Sequence, residues 1–272
     1  MRTVLICHHD EPLNRYGLAR WLASFSELAA IIDIHETRGR VWRRIRREIK
    51  RVGILRFLDV LAFRLYYRFA LAGTDHDWTQ AKLAQLNADY PDVPTSCRLL
   101  NTQNPNGAEC LQLLREVQPD VIIARCKSIL KTETFRTAST GTFVMHPGIC
   151  PEYRNAHGCF WALAEHDLDR VGMTLLKVDE GVDTGPVYAY YSCAYNEMHE
   201  SHAIIQNRMV FDNLNSLRAK FKEIVAGSAI VIDTAGRASR TWGQPQLTRY
   251  LGWKWAARKR AKNNARFNPT VP

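Results

Sequence analysis

The amino-acid sequence predicts an α/β fold with a doubly wound, mostly parallel sheet. Three observations predict it: short apolar runs of strand length recur along the chain, helical patterns separate them, and turn signals bound them. Parallel strands need a crossover helix between them, which this alternation supplies. With 272 residues, the chain is expected to form one large domain over residues 1–227 and a short basic extension over residues 228–272.

The first elements form a β-α-β unit. Thr3–Cys7 is predicted as a buried strand, Pro12–Ser26 as a helix with apolar residues at helical spacing, and Ala29–Ile34 as a second strand. No G-x-G-x-x-G follows the first strand. The fingerprint of dinucleotide-binding proteins is therefore absent from the sequence.

Residues 38–72 are predicted to be a helical insertion. Its first part is a basic amphipathic helix, because four apolar residues recur at helical spacing among Arg and Lys: Val41, Ile45, Ile49 and Val52. The second part is more apolar, but its charged residues make it unsuitable as a membrane span: Arg56, Asp59, Arg64 and Arg68. The insertion is expected to lie on the core, on a partner or on lipid headgroups, or to be only a solvated charged surface.

The later elements bring a histidine to the edge of the sheet. A strand near Cys97–Leu100 leads through an Asn-Pro-Asn-Gly turn into a helix over Ala108–Gln118, and Asp120–Ala124 is predicted as a central strand. After a short helix, Thr142–Met145 is the next predicted strand, with His146 at its carboxyl end. In open α/β sheets ligands bind at that edge.

Composition and charge limit the classes of protein. Hydrophobic residues make up 46% of the chain and charged residues 24%, as in soluble globular proteins. The formal net charge of +10 is concentrated in two windows: residues 38–51 carry eight Arg and Lys against one Glu, and residues 252–272 carry six with no acid. These patches predict anionic partners such as phosphates or a membrane surface, and they do not predict a general coat for nucleic acid.

The cysteines and the first residues give further expectations. Seven scattered cysteines without a C-x-x-C pair argue against a disulfide framework and against a zinc site, so no metal is expected. The apolar run near the start is too short for a secretory signal, and a cytoplasmic protein is expected. The sequence leaves a homodimer open.

Four motifs follow one another along the chain, beginning at His146. They are His146-Pro147-Gly148, Pro151-Glu152-Tyr153-Arg154, Trp161-Ala162-Leu163 and the glycine-rich loop Asp179–Pro186. In this order and spacing the chain resembles the folate-dependent formyltransferases, which include the methionyl-tRNA, glycinamide ribonucleotide and sugar-nucleotide N-formyltransferases. The resemblance is dense over about residues 143–190, and it implies a formyltransferase-type sheet.

The chemistry of formyl transfer to an amine also needs a proton carrier, a group that orients it, and donors for the oxyanion of the tetrahedral intermediate. His146 suits the first role, because its ordinary pKa lies near neutrality and a rigid turn follows it. Asp183 suits the second, because a carboxylate can accept a hydrogen bond from the imidazole. The resemblance implies the same two residues as catalytic.

The resemblance further implies 10-formyltetrahydrofolate as the co-substrate. In this family the pteridine ring is held largely by backbone groups of two loops. These map onto the segment after the central strand, with Ser128 and Leu130, and onto the glycine-rich loop, with Asp179, Gly181, Val182 and Asp183.

One position departs from the family. The usual Asn-x-His places a carboxamide two residues before the histidine, where this chain has Val144. Residues i and i+2 of a strand face the same side, so Val144 is expected to point where the amide would be. A missing oxyanion donor typically costs about 10²–10³ in rate, and Asn155 is the predicted replacement.

The leading functional prediction is formyl transfer to the amine of a small anionic substrate, most plausibly an amino sugar on a nucleotide or a related cell-envelope intermediate. Two alternatives stay open: a formyltransferase-like protein that binds folate or a partner without transfer, and a hydrolase that releases formate from the same co-substrate. A tRNA substrate is not expected, because the tRNA enzymes of this family add a further C-terminal domain.

Overall fold

The computed structural model of the chain describes residues 1–36 and 38–267. Seven strands form one sheet in the order β3-β2-β1-β4-β5-β7-β8, and a two-stranded ribbon pairs β6 with β9. The strands are β1 (Arg2–His8), β2 (Glu27–Ile34), β3 (Arg98–Thr102), β4 (Val121–Arg125), β5 (Gly141–His146), β6 (Arg154–Asn155), β7 (Met173–Lys177), β8 (Val187–Tyr191) and β9 (Thr241–Trp242).

The sheet confirms the predicted α/β fold. Strands β3, β2, β1, β4 and β5 run parallel. Strand β7 pairs antiparallel with β5, and β8 pairs antiparallel with β7, so β8 returns to the direction of the other strands. Alternate residues of the strands enter two cores on opposite faces. Leu5 belongs to the larger core and Val4 to the smaller one. Both faces are therefore covered, as a doubly wound sheet requires.

Helices and short helical turns connect the strands. They are a π-helical turn (Leu13–Leu18), α1 (Ala19–Ala23), α2 (Arg38–Val52), α3 (Ile54–Tyr66), a second π-helical turn (Tyr67–Leu71), α4 (Ala72–Asp89), α5 (Ala108–Val117), α6 (Thr132–Phe135), α7 (Gly158–Ala164), α8 (His202–Phe211), α9 (Leu214–Val225) and α10 (Leu247–Phe267). The predicted helix over residues 12–26 is thus shorter than expected, because its first part is a π-helical turn and its last residues already lead into β2.

The inserted segment is helical, as predicted, and α4 continues it up to Asp89. Val60 and Phe63 of α3 are buried, and the Phe63 ring packs 5.4 Å from the ring of Tyr250 on α10. No helix among the described residues is long and apolar enough to cross a bilayer. Several side chains of the predicted basic helix lie outside what the structure describes, namely those of Arg38, Arg40, Val41, Arg43, Arg44 and Arg47.

The chain after residue 227 packs into the main core. Trp242, Tyr250 and Trp253 are all buried members of the larger cluster. The Trp242 ring stacks on Tyr153 at 5.5 Å and on Trp161 at 4.7 Å. The predicted C-terminal extension therefore covers the loop that follows β5.

Candidate active site

His146 lies at the carboxyl end of strand β5 and is 5% exposed. Its Nε2 lies 2.8 Å from the carbonyl oxygen of Tyr153, and its Nδ1 lies 3.5 Å from Oδ2 of Asp183. A carbonyl oxygen only accepts hydrogen bonds, so Nε2 carries the proton of the neutral ring. Nδ1 is then the nitrogen with a free lone pair, and it faces the carboxylate.

Asp183 reaches His146 from a loop that folds back over the sheet. The loop leaves β7 beside Thr142, whose carbonyl accepts from the Val178 N–H at 2.7 Å, and it returns into β8. Its acidic residue Asp179 accepts from the Thr184 hydroxyl at 2.7 Å and from the Gly181 N–H at 3.0 Å. These bonds hold the loop in a fixed shape, with the Asp183 carboxylate at the imidazole.

Three residues around the imidazole have left-handed backbone conformations, although none is glycine. Their φ angles are 53° at Asp183, 74° at Asn155 and 56° at His157. Such conformations cost of order 1 kcal/mol or more and cluster at functional sites, where the surrounding structure enforces them. The Asn155 N–H donates to Asp183 Oδ2 at 2.8 Å, which ties two of these strained residues together.

Two glycines let the chain cross tightly next to the imidazole. A Cβ at Gly148 would lie 2.8 Å from His146 Nε2 and 2.8 Å from the Cα of Gly158. A Cβ at Gly158 would meet the Gly148 Cα at 2.5 Å. Any side chain at either position would displace backbone or the ring. The Pro-Gly and His-Gly dipeptides of the sequence thus hold the turn that orients His146.

The predicted oxyanion donor Asn155 already has a partner in the protein. Its Nδ2 donates to the carbonyl oxygen of Trp242 at 2.5 Å. This bond, together with the short β6–β9 pairing, fixes the turn after β5. Val144 is half-buried and packs against the smaller core and its neighbours, while Phe143 and Met145 enter the larger core. Val144 and His146 therefore face the same side of β5, as expected.

The two predicted cofactor loops border one face of the sheet. Leu130 is a buried member of the smaller core, and Val144 and Val178 pack against that core. Ser128 lies in the same loop as Leu130, where its carbonyl accepts from the Cys126 thiol at 3.5 Å. Val182 of the second loop is 38% exposed, and its carbonyl accepts from Arg154 at 3.0 Å. The second loop thus exposes apolar surface at Val182, whereas Leu130 of the first loop is buried in the core.

A charged network that the motifs did not reveal joins the ends of β1, β4 and β5. Lys127 Nζ pairs with Glu11 at 2.8 Å, Glu11 accepts from Asn14 at 2.6 Å, and Asn14 accepts from Arg125 at 3.2 Å. Arg125 also donates to the Met145 carbonyl oxygen. The carboxyl ends of neighbouring parallel strands meet at one edge, so polar residues directly after β1 and β4 are the signal that points to this network.

Burial and charge set the protonation of this network. Burial alone would raise the pKa of the Glu11 carboxyl, but Lys127, Arg125 and the hydrogen bond from Asn14 together outweigh burial and lower it. Burial would likewise lower the pKa of Lys127, and Glu11 raises it above its usual value. Desolvation, with Lys127 nearby, lowers the pKa of His157 to about 4. His157 is therefore neutral at pH 7 while the Glu11–Lys127 pair stays charged.

A second polar cluster lies on the same sheet edge, at the ends of β1 and β2. Asp33 is completely buried, and its Oδ2 accepts from His9 Nδ1 at 2.9 Å and pairs with Arg15 Nε at 2.8 Å. The His9 and His35 rings stack at 4.1 Å. His9, Arg15 and His35 line an open cleft of about 740 Å³, together with Asn101–Asn104 and Glu109.

This cluster also has the donor set of a metal site, since ligand atoms of His9, Asp33 and His35 lie within 4.8 Å of one another. The Arg15 guanidinium, however, already pairs with Oδ2 of Asp33. A fixed positive charge at contact distance opposes cation binding and favours an anion instead. The expectation that the protein uses no metal stays a prediction.

The family model described as formyl transferase matches residues 72–218. Methionyl-tRNA formyltransferase of Chlorobium limicola is 29% identical over 133 residues, which are 49% of this chain and 37% of the relative. The enzyme of the same name from Kosmotoga olearia is 35% identical over 83 residues, 30% of this chain and 26% of the relative. The matches thus span less than two fifths of these relatives.

Two solved structures share the fold. A sugar N-formyltransferase from Shewanella sp FDAARGOS_354 superposes with a TM-score of 0.53 at 12% identity, over 94% of this chain and 88% of the other. A phosphoribosylglycinamide formyltransferase from Anaplasma phagocytophilum superposes with a TM-score of 0.53 at 14% identity, over 90% and 99%. At such low identity the likeness concerns the fold alone.

Proposed function

Because this chain belongs to the formyl transferase family, we propose that it transfers a formyl group from 10-formyltetrahydrofolate to an amine. The observation that carries the proposal is the pair of His146 and Asp183, with Nδ1 at 3.5 Å from the carboxylate and Nε2 fixed by a backbone carbonyl. Both residues lie inside the segment that matches the family.

His146 Nδ1 is the proton acceptor of the reaction. As the amine attacks the formyl carbon, the ammonium that forms must lose a proton, and Nδ1 takes it up. The Asp183 carboxylate stabilises the imidazolium, and the Tyr153 carbonyl holds the ring in place from the other side. The proton is then available for the nitrogen that leaves the formyl carbon. Nearby His157 has a pKa of about 4 and is too weak a base to compete at pH 7.

The co-substrate would supply the formyl carbon, and two loops would hold it. We assign its flat ring to the space between Ser128–Leu130 and Asp179–Asp183, beside the apolar side chains of Val144 and Val178. The Gly181 carbonyl and the Val182 N–H would supply hydrogen bonds, since the Gly181 N–H is bonded to Asp179 and the Val182 carbonyl to Arg154, and no side chain at residue 181 blocks the approach.

The acceptor would extend along the sheet edge from His146 toward β2. One strand, β4, separates β5 from β1, so the cleft at His9, Arg15 and His35 begins about 10 Å from the imidazole. A cleft of about 740 Å³ has the size of a small-molecule site. Arg15 and the two histidines suit an anionic group, which favours a phosphorylated acceptor such as a nucleotide-linked amino sugar.

The test is a formyl-transfer assay with labelled 10-formyltetrahydrofolate and a panel of nucleotide-linked amino sugars, glycinamide ribonucleotide and methionyl-tRNA. We expect amine-dependent formylation of an amino sugar. Formylation of methionyl-tRNA alone would refute the assigned acceptor and leave the reaction intact. Free formate without any amine would make the protein a hydrolase, and absence of turnover with every acceptor would refute formyl transfer.

A further inference from the structure

Helix α3 has apolar residues on two opposite sides. One side faces the core through Val60 and Phe63. The other side is open to solvent: Leu55 is 84% exposed and Phe69, one turn beyond the helix, is 81% exposed. The outward stripe consists of residues that are each at least half exposed: Ile54, Leu55, Leu58, Leu65 and Phe69. At helical spacing they span about a third of the circumference.

Such a stripe is unusual on a protein surface, since large contiguous apolar patches mark interaction sites. It also lies outside the segment that matches the family, which begins at residue 72. The formyl-transfer chemistry proposed above makes no use of it. A different function must account for this surface.

Aromatic side chains are exposed on the two helices that adjoin α3. Trp42 of α2 is 64% exposed and Trp255 of α10 is 66% exposed. Helix α10 is held against α3, because Asp59 accepts from both the N–H and the hydroxyl of Thr248. Tryptophan is the residue that accumulates at membrane–water interfaces, where its ring is apolar and its N–H is hydrated.

Basic residues far outnumber acidic residues on these helices. Residues 38–71 and 247–267 carry eighteen Arg and Lys against two acids. Both acids are engaged within the protein: Glu48 pairs with Arg51 at 2.7 Å, and Asp59 holds Thr248. Two of the basic residues also pair with acids of other elements, Arg249 with Glu165 at 3.2 Å and Arg260 with Glu197 at 2.6 Å. The three helices still carry a large excess of basic residues, which attracts anions.

The apolar stripe and the positive charge together discriminate between three kinds of partner. Nucleic acid would match the charge but offers nothing to an aliphatic stripe. A second copy of the chain would cover the stripe but would bring the same basic helices against themselves. An anionic bilayer matches both features, because headgroups meet Arg and Lys while the acyl boundary takes up the apolar side chains.

We propose that the α3 stripe, with α2 and α10 beside it, is a docking surface for anionic phospholipid bilayers, on which the protein lies without spanning them. The full-length protein is tested by co-sedimentation with vesicles of phosphatidylcholine and phosphatidylserine, and with vesicles of phosphatidylcholine alone. We expect binding to the mixed vesicles, weakened at least about tenfold on the neutral ones.

The decisive variant is the triple substitution Leu55→Ser, Leu58→Ser and Phe69→Ser. It should lower affinity for the mixed vesicles at least about tenfold, because interfacial binding scales with buried apolar area. The matched control is Ile230→Ser, which removes a side chain that is 82% exposed outside the three helices and should leave binding unchanged. Thermal melting checks that the triple variant is folded.

Three results would overturn the proposal. The first is failure of the folded wild-type protein to bind mixed vesicles. The second is full vesicle binding by the triple variant, since charge alone would then explain attachment. The third is a dimer that the triple variant dissolves without any vesicle binding, because the stripe would then be a contact between two copies. None of these readouts uses a formyl donor or an amine, so they are independent of the proposed catalysis.

Discussion

At the scale of residues, the informative substitutions are His146→Gln and Asp183→Asn. Each removes the titratable group and keeps a polar side chain in its place. Asparagine tolerates the left-handed conformation of Asp183, whose φ is 53°, so that variant removes the carboxylate charge and keeps the loop. We expect each to lower the rate of formyl transfer at least about a hundredfold, the usual contribution of acid–base catalysis. Single-turnover kinetics on the folded variants measure it.

The double variant and a control complete this test. Because the two groups act as one unit, the double variant should be little slower than either single one. His199→Gln changes an exposed histidine and should leave the rate unchanged. A near wild-type rate in either single variant would exclude that residue from the proton transfer.

A second prediction at this scale concerns Asn155. Its amide nitrogen donates to the Trp242 carbonyl, so we expect it to position the turn and not to be the main oxyanion donor. Asn155→Gly fits the φ of 74° and removes only the side chain. The rate should fall less than about tenfold, whereas loss of an oxyanion donor typically costs about 10²–10³.

Val144→Asn is the companion variant. It restores the carboxamide on the side of β5 that His146 faces, and we expect it to raise the rate if an oxyanion donor is lacking. A hundredfold loss in Asn155→Gly, with no gain in Val144→Asn, would instead identify Asn155 as the donor.

Candidate site residues that belong to a recognisable motif could be predicted from the sequence, and those outside any motif could not. His146 and Asp183 were predicted from neighbouring glycines and prolines, and the structure brings them together. The network of Glu11, Lys127 and Arg125 was missed, because its members lie over a hundred residues apart and meet only where β1 and β4 end side by side. Local spacing carries no information about such contacts.

At the scale of elements, apolar strands with long uninterrupted runs were predicted well. The predicted strands over Asp120–Ala124 and Thr142–Met145 match β4 and β5 within a residue or two. Strand β7 escaped prediction because Met173–Lys177 is short and begins soon after a 3-10 turn at Leu168–Arg170. Helix α4 escaped it because its apolar residues do not recur on one side, so the helical period is weak.

Strand β9 covers the turn that follows β5 in the candidate active site. This packing leads to a prediction at the scale of elements. Trp242 stacks between Tyr153 and Trp161, and its Nε1 donates to the Glu152 carbonyl at 2.9 Å. We expect Trp242→Ala to lower the free energy of unfolding by about 3–5 kcal/mol, as for other buried tryptophans, and to slow formyl transfer because the turn loosens.

Chemical denaturation measures the stability change. Trp255→Ala is the matched control, since that ring is 66% exposed and its loss should change stability by less than about 0.5 kcal/mol. Equal effects of the two substitutions would mean that the stack contributes nothing beyond surface packing.

At the scale of the whole molecule, two histidines make stability depend on pH. Burial lowers the pKa of His202 well below its usual value, and desolvation lowers that of His157 to about 4. An unfolded histidine titrates near about 6.5, so below that pH the unfolded chain binds protons that the folded protein does not. The stability they contribute is complete above about pH 6.5 and is lost as the pH falls toward 4.

His202→Phe should reduce this acid sensitivity. His202 lies among aromatic rings, 5.3 Å from Phe63 and 5.4 Å from Phe160, so phenylalanine fits the surroundings without a titrating group. The slope of unfolding free energy against pH should fall by up to about 1.4 kcal/mol per pH unit below pH 6.5. An unchanged slope in urea titrations would show that His202 does not govern acid unfolding.

The concentration of basic residues on three helices also gives the molecule an electric dipole moment. Outside residues 38–71 and 247–267 the chain carries 25 acids against 19 basic residues, so the remainder of the molecule has an excess of negative charge. In the field of any anionic surface such a molecule experiences a torque as well as an attraction. The protein would rotate before it contacts the surface. At low ionic strength its first contacts would therefore be made with the basic helices.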